Sequence, residues 1–474
     1  MKRLFILFLP VFLAVVASAA NPSKDKTKRP QAQSLAPYKS SAAAPWNYDR
    51  AAHLLRRAGF GGDYRRIEEL ARIGPAKAVD QLMGADTNML GRFEEELARQ
   101  HFDSGEPIDI KAWWIYRMMH SPAPLQEKMS LFWHNHFATS LRKVRAPELM
   151  LRQNEMFRRY ALGDFQKLVL EVSKDPAMIQ WLDNNNNLKG KPNENYAREV
   201  MELFTLGIGH YTESDIKEAA RAFTGWQMDY SGFYFNPEQH DFGSKTFIGQ
   251  TGEFNGGDII RIIFQQPACA EYISKKLFEF FAYESPDEAL VRELASLVTR
   301  SHFQIRPVVD RILRSQAFFS ARAMEAQIKS PVDYVVGTAQ AMEIDVDARG
   351  ARMAARAVAQ MGQNLFEPPS VKGWDGGRAW INTATLLNRQ NFIKQLTENR
   401  SQNLASLRKD LKLEESEPAK ALDSYARALL QRPLAEKDRA ELMPYLAQAK
   451  EAGSPEMWQD LTYRLLTLPQ YQLN

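Results

Sequence analysis

Cysteine is almost missing from the 474-residue sequence: Cys269 is the single one. One thiol excludes an internal disulfide, so stability must come from the packed core. The thiol sits in Gln266-Pro267-Ala268-Cys269-Ala270, just before an apolar helical stretch. That setting suits a buried structural thiol better than a nucleophile. No segment after the N-terminus holds 18 consecutive apolar residues, so no further membrane span is expected. A surplus of one charge is missing too: 61 Lys and Arg against 57 Asp and Glu leave a formal charge of +4. A nearly neutral chain has no concentrated basic face, so no nucleic-acid partner is expected. Gly-x-Ser-x-Gly, a Walker loop, a dinucleotide fingerprint and His-Glu-x-x-His are all absent. Serine hydrolase, nucleotide-binding and zinc-protease readings lose support with them.

What is present begins with a compartment signal. Met1-Lys2-Arg3 is cationic, Leu4 to Val16 is apolar around Pro10, and Ala17-Ser18-Ala19-Ala20 is small. This order reads as a cleavable signal peptide over residues 1–20. The competing reading is a membrane anchor, but the run is shorter than the roughly 20 residues a span needs. A periplasmic or secreted mature protein is therefore expected. No Cys near the cleavage site points to a lipid anchor, and no twin-Arg pair to a folded export route. Residues 21–45, rich in Lys, Pro, Ser, Ala and Gln, read as a disordered linker.

Helical periodicity dominates the rest. It predicts helices over Tyr48–Ala58, Tyr64–Arg72, Ala112–Met119, Leu125–Phe137, Asp164–Ser173, Ile179–Leu182, Tyr196–Leu206 and Asp215–Phe223. Thr212 and Asp215 form a capping-box signal at the start of the last. Further helices are expected over Ile259–Phe281, Asp287–Arg300, Pro307–Phe319, Val332–Met342 and Arg352–Met361. The Gly- and aromatic-rich stretch 226–257 alternates instead and reads as one small β-hairpin insertion. Residues 364–382 form a long irregular loop, and the pattern from Leu386 onward is helical. The expected fold is all-α: a multi-helical core over 46–400 and a helical C-terminal section over 401–474. Ile312–Phe318 resembles Leu465–Tyr471, which reads as two helices with similar stops.

A set of ordered motifs runs through the core. It comprises Trp133-His134-Asn135-His136-Phe137, Lys174-Asp175-Pro176-Ala177-Met178, Trp181-Leu182-Asp183-Asn184 and Pro192-Asn193-Glu194-Asn195-Tyr196-Ala197-Arg198-Glu199. It continues through Met201-Glu202-Leu203-Phe204-Thr205-Leu206-Gly207, Ala222-Phe223-Thr224-Gly225-Trp226 and Pro368-Pro369-Ser370-Val371-Lys372-Gly373-Trp374. Together these resemble the bacterial family of exported proteins called domain of unknown function 1800. At Asp375 the pattern of that family has Pro. The resemblance implies export and no settled activity. It also implies a neighbour, since such proteins are often encoded beside exported proteins that resemble the alkaline phosphatase and sulfatase superfamily.

Four constellations could carry chemistry. Asn195, Arg198, Glu199 and Glu202 fall at i, i+3, i+4 and i+7, a continuous polar stripe. It could present two carboxylates and a guanidinium to a ligand, or be a solvated face with an Arg198–Glu202 pair. His134 and His136 point about 200° apart on a helix, so they do not share a metal ion while the helix continues. His136 falls on the apolar stripe with Leu125, Met129, Phe132 and Trp133. It reads as a buried, hydrogen-bonded histidine, and as a catalytic or ligand candidate if it faces Glu199 and Glu202. His53 and His210 are weaker candidates of the same type. Asp183, Asn185, Asn187 and Glu194 have the spacing of calcium ligands in a twelve-residue loop. Leu188 stands where that turn needs Gly, and an Asn-rich turn with an Asn193 cap competes. Trp374, Arg378 and Trp380 on the long loop could form exposed indole platforms for sugars, or pin the loop to the body.

Two functional readings follow. One is an exported binding or scaffold protein that assists a partner enzyme acting on an extracellular polymer. The other is a hydrolytic, metal-assisted enzyme built on His136, Arg198, Glu199 and Glu202, with Trp374, Arg378 and Trp380 binding substrate. No cofactor is specified by any motif.

Overall fold

The computed structural model describes residues 34–474 apart from Ala85, Arg400, Gly453 and Ser454. The expected signal peptide at 1–20 lies outside the described residues, as does 21–33 of the expected linker. The architecture is all-α, with 23 α-helices and two small two-stranded antiparallel sheets among the described residues. No helix among them is long and apolar enough to cross a membrane.

Local chemistry sets the helix ends. Asn47 accepts the Arg50 amide to start Tyr48–Ala58, and Asp63 accepts the Arg66 amide to start Tyr64–Ile73. Gly74, at φ 86°, ends that helix, and Pro75 begins Pro75–Met83. Proline suits this first-turn position because its missing N–H has no helical partner there. Thr212 and Asp215 close the capping box in both directions. The stretch expected as one helix over 259–281 is two, Gly256–Ile263 and Pro267–Phe281. Pro267 cannot donate into a continuing ladder, so the chain breaks before it. Thr87–Arg99 and Pro147–Arg159 are helices that periodicity did not single out.

The insertion holds two hairpins instead of one. Strand β1 (Trp226–Asp229) pairs with β2 (Gly232–Phe235), and β3 (Lys245–Phe247) with β4 (Gln250–Gly252). Ile248 and Gly249 both have positive φ between β3 and β4, the turn geometry that matches strand twist. A β-branched residue resists that conformation. The Asp215 carboxylate holds it in place by accepting the Ile248 amide at 2.7 Å.

Two apolar cores fill the molecule. The first gathers buried residues from Leu35 to Ala323, with Trp133, Phe137, Phe157, Phe165 and Phe204 at its centre. The second joins Ile110, Trp114 and Met150 to Val332–Phe366 and to Leu407–Tyr471. The C-terminal helices therefore share a core with residues near 110 and 335. Pro124–His136 contributes to both, Leu125 and Trp133 to one and Leu131 to the other. The linker expectation fails at its described end. Leu35 is 1% exposed, and the Ala317, Gln316 and Tyr38 amides donate to Ser34, Ala36 and Arg314 carbonyls. Leu35 and Tyr38 are apolar anchors that an average over a polar stretch conceals.

Candidate functional site

The polar stripe begins as an α-helix over Asn195–Glu199 and continues as a π-helical turn over Val200–Thr205. The last carbonyls of this segment, like those of any helix end, have no partner within the helix. His136 Nε2 donates to the Phe204 carbonyl at 2.9 Å, and the Tyr272 hydroxyl donates to the Leu203 carbonyl at 2.6 Å. The Thr205 hydroxyl donates back to the Val200 carbonyl. Gly207 follows at φ 79°, where a Cβ would lie 3.1 Å from the Tyr272 ring. π-Helical turns concentrate at functional sites, and this one lies within the family-like motifs.

His136 is buried among Phe132, Trp133, Phe137, Phe165, Phe204 and Tyr272. With Nε2 donating, Nδ1 is the bare nitrogen, and it has no partner. Burial, and next Lys276, hold the imidazole neutral, well below its ordinary pKa. Arg198 faces elsewhere. It forms a two-pronged ion pair with Glu213, both bonds 2.9 Å, and reaches Glu194 at 3.2 Å. Glu202 accepts from the Tyr211 hydroxyl at 3.0 Å. Glu199 carries no hydrogen bond from any described residue, and it is pushed above the usual carboxylate range by burial and then by Glu202. Lys276 donates to the Tyr272 oxygen at 3.4 Å. Burial pushes its amine down to about 8, against Glu279 and with help from Lys372. The structure thus groups Glu199, Glu202, Tyr211, Tyr272 and Lys276 around the π turn. It draws Arg198 outward and leaves His136 behind the turn on a backbone carbonyl.

The remaining candidates are structurally engaged. The loop expected to carry exposed indoles buries both, with Trp374 8% and Trp380 7% exposed; the apolar rings find cover against the body. The Trp374 amide donates to Asn135 Oδ1 at 2.8 Å, and its ring lies 5.6 Å from that of His134. Gly373 packs so closely on Asn135 that a Cβ would collide with its carbonyl and side chain. Arg378 is exposed, and Asp375 pairs with Lys372 at 2.9 Å. In the Asn-rich loop, Asp183 pairs with Lys143 at 2.6 Å and Glu194 with Arg198. Asn185 exchanges bonds with the Met228 backbone. Asn187 donates to the Ala220 carbonyl and accepts from the Asn193 amide. These four side chains turn to different neighbours instead of a shared centre. Among the described residues no three His, Cys, Asp or Glu side chains are arranged to hold a metal ion. His53 donates to the Phe318 carbonyl at 3.0 Å, His210 is exposed, and Cys269 is fully buried, its thiol pushed up by burial.

The motifs interlock. His134 Nε2 accepts the Phe366 amide at 3.1 Å, Asn135 holds Trp374, and His136 holds Phe204. Asn184 donates to the Trp226 carbonyl at 2.8 Å. Asp175 accepts the Met178 amide and the Gln153 side chain. A family model described as a protein of unknown function, DUF1800, matches residues 53–473. The chain belongs to the DUF1800 family. No curated protein and no solved structure matches it. In this DUF1800 chain Asn135, His136 and Asn184 bind the backbone of other motif segments, so part of the pattern is explained by architecture.

Two features escaped the sequence reading. Tyr272 and Lys276 lie at i and i+4 of an apolar helix, a spacing that could have flagged them but whose partner turn is distant in sequence. Glu127 is completely buried between Arg117 at 2.9 Å and Arg158 at 2.7 Å, and it also accepts from Trp114 Nε1.

Proposed function

We propose that this protein is an exported binding or scaffold component that docks on a partner through the aromatic surface of its β insertion. One observation carries the reading. Tyr230, Tyr234, Phe235 and Phe242 stand 109%, 39%, 43% and 55% exposed within thirteen residues of chain. Tyr234 and Phe235 are successive residues of β2 and face opposite sides of it, so the contiguous exposed patch that marks an interaction surface is that of Phe235 and Phe242. Phe235, His240 and Phe242 form a continuous ring series with centroids 5.2 and 4.7 Å apart. Export rests on the pattern of residues 1–20. The favoured partner is an exported enzyme resembling the alkaline phosphatase and sulfatase superfamily and acting on an extracellular polymer, as the family resemblance implies.

The hydrolytic reading keeps one support, the Glu199 and Glu202 carboxylates beside Tyr211 and Tyr272. Its other members, His136 and Arg198, are engaged by Phe204 and Glu213. The test is affinity measurement between the purified protein and such an exported enzyme, with a Tyr230→Ser, Phe235→Ser, Phe242→Ser variant. Loss of three aromatic anchors should weaken binding by about 100-fold or more while leaving the melting temperature unchanged. Equal affinity in the variant would overturn the docking reading. Polymer cleavage by the protein alone, abolished by Glu199→Gln with Glu202→Gln, would establish the hydrolytic one.

A further inference from the structure

Away from the π turn, the first helix, the segment 325–333 and the turn 469–474 meet around a small cavity. Arg56, Lys329, Asp333, Gln431, Tyr471 and Asn474 line it. Its water-accessible volume of about 10 Å³ is room for one small species.

The charge around this cavity is unbalanced. Arg56, Lys329, Arg389 and Arg432 are each 5% exposed or less. Arg56 donates to the Gln431 carbonyl at 2.8 Å, and Arg432 to the Leu473 carbonyl at 2.9 Å. Arg389 donates to Gln472 Oε1 and the Lys329 carbonyl. The Nε atom of each of these three arginines is buried without a partner. Lys329 Nζ lies 3.5 Å from the centre of the Tyr471 ring. Among the described residues no carboxylate or carbonyl hydrogen-bonds that nitrogen, and burial, then Arg432 and Arg56, holds it well below the ordinary lysine range. The nearby side-chain carboxylates are committed. Asp333 takes Lys128 at 2.5 Å and the Ser330 hydroxyl. Glu325, half-exposed, lies 3.2 Å from Arg432, and Asp49 pairs with Arg427 at 2.9 Å. Neutral partners satisfy hydrogen bonds but leave the net charge, and a buried charge without a counter-charge is strongly unfavourable.

We propose that this cavity is a site for one small monovalent inorganic anion, chloride or an ion of its size, held between Lys329 and Arg56. Arg389 and Arg432 complete the positive field. The space excludes phosphate and sulfate. The bound ion ties residues 325–333 to the turn 469–474 and to the first helix, so its role is to lock the second core closed.

Thermal unfolding of the full chain in sodium chloride and in sodium gluconate, at equal pH and ionic strength, tests this. With chloride near a hundred times its dissociation constant, the melting temperature should be higher by roughly 3 °C. The difference should vanish in Lys329→Met. Crystals of the unmodified protein soaked in bromide should show an anomalous peak within hydrogen-bond distance of Lys329 Nζ, a result independent of whether the variant folds. Equal melting in both salts, or no bromide in the cavity, would overturn the proposal and leave Lys329 as a neutral amine.

Discussion

His134 illustrates how a single buried ring sets acid sensitivity. Burial pushes its pKa down to about 3, whereas an unfolded imidazole titrates near 6.5. Below pH 6.5 the unfolded chain therefore binds a proton that the folded chain refuses. The contribution of His134 is fully present above pH 6.5 and is lost toward pH 3 at about 1.4 kcal/mol per pH unit. His53 and His136 act in the same direction. Asp175 opposes them: burial pushes its carboxyl up to about 7, so the folded chain takes up a proton first as pH falls and gains stability there. In His134→Gln the amide oxygen can still accept the Phe366 amide. Urea unfolding between pH 7 and pH 4.5 should show a shallower loss in that variant than in the parent, by about one proton's slope. Parallel curves would mean that His134 is protonated in the folded state. The interior position of His136 was legible, because Leu125, Met129, Phe132 and Trp133 share its helical face. Its partner was not, because a carbonyl 68 residues away leaves no local trace.

At the scale of elements, boundaries were readable where a cap or breaker marks them. Tyr48–Ala58 ends at Gly59 as expected, and the Thr212 box starts its helix. The π turn was hidden because Tyr196, Val200, Leu203 and Phe204 fit an ordinary helix equally well. The Arg198–Glu202 alternative failed for the same reason: the register shifts between them, and Arg198 turns to Glu213. Three helices, Pro107–His120, Pro124–His136 and Pro147–Arg159, are tied by Arg117, Glu127 and Arg158. Charges in helices read as solvent faces, so this buried trio was invisible. Glu127→Gln leaves two guanidinium groups without their shared counter-charge. It should destabilise the fold by about 3–5 kcal/mol, measured as a fall in the urea midpoint. A loss below about 1 kcal/mol would show that Glu94, which also holds Arg117, suffices.

For the molecule as a whole, the fold class was accessible because helical patterning recurs along most of the chain. The division into two cores was not, since the second unites segments around residues 110, 335 and 460. Removing residues 401–474 strips Tyr425, Leu429, Trp458, Leu461 and Tyr471 from that core. The truncated chain should expose Trp114 and Tyr334, bind a hydrophobic dye and be cut rapidly by protease. A cooperative, protease-resistant truncated chain would show that the first core stands alone. Ten of the thirteen residues in Pro124–His136 are buried, and the helix feeds apolar side chains into both cores. In mechanical terms it is a party wall: for either half to swing against the other, it would have to drag this shared rod with it.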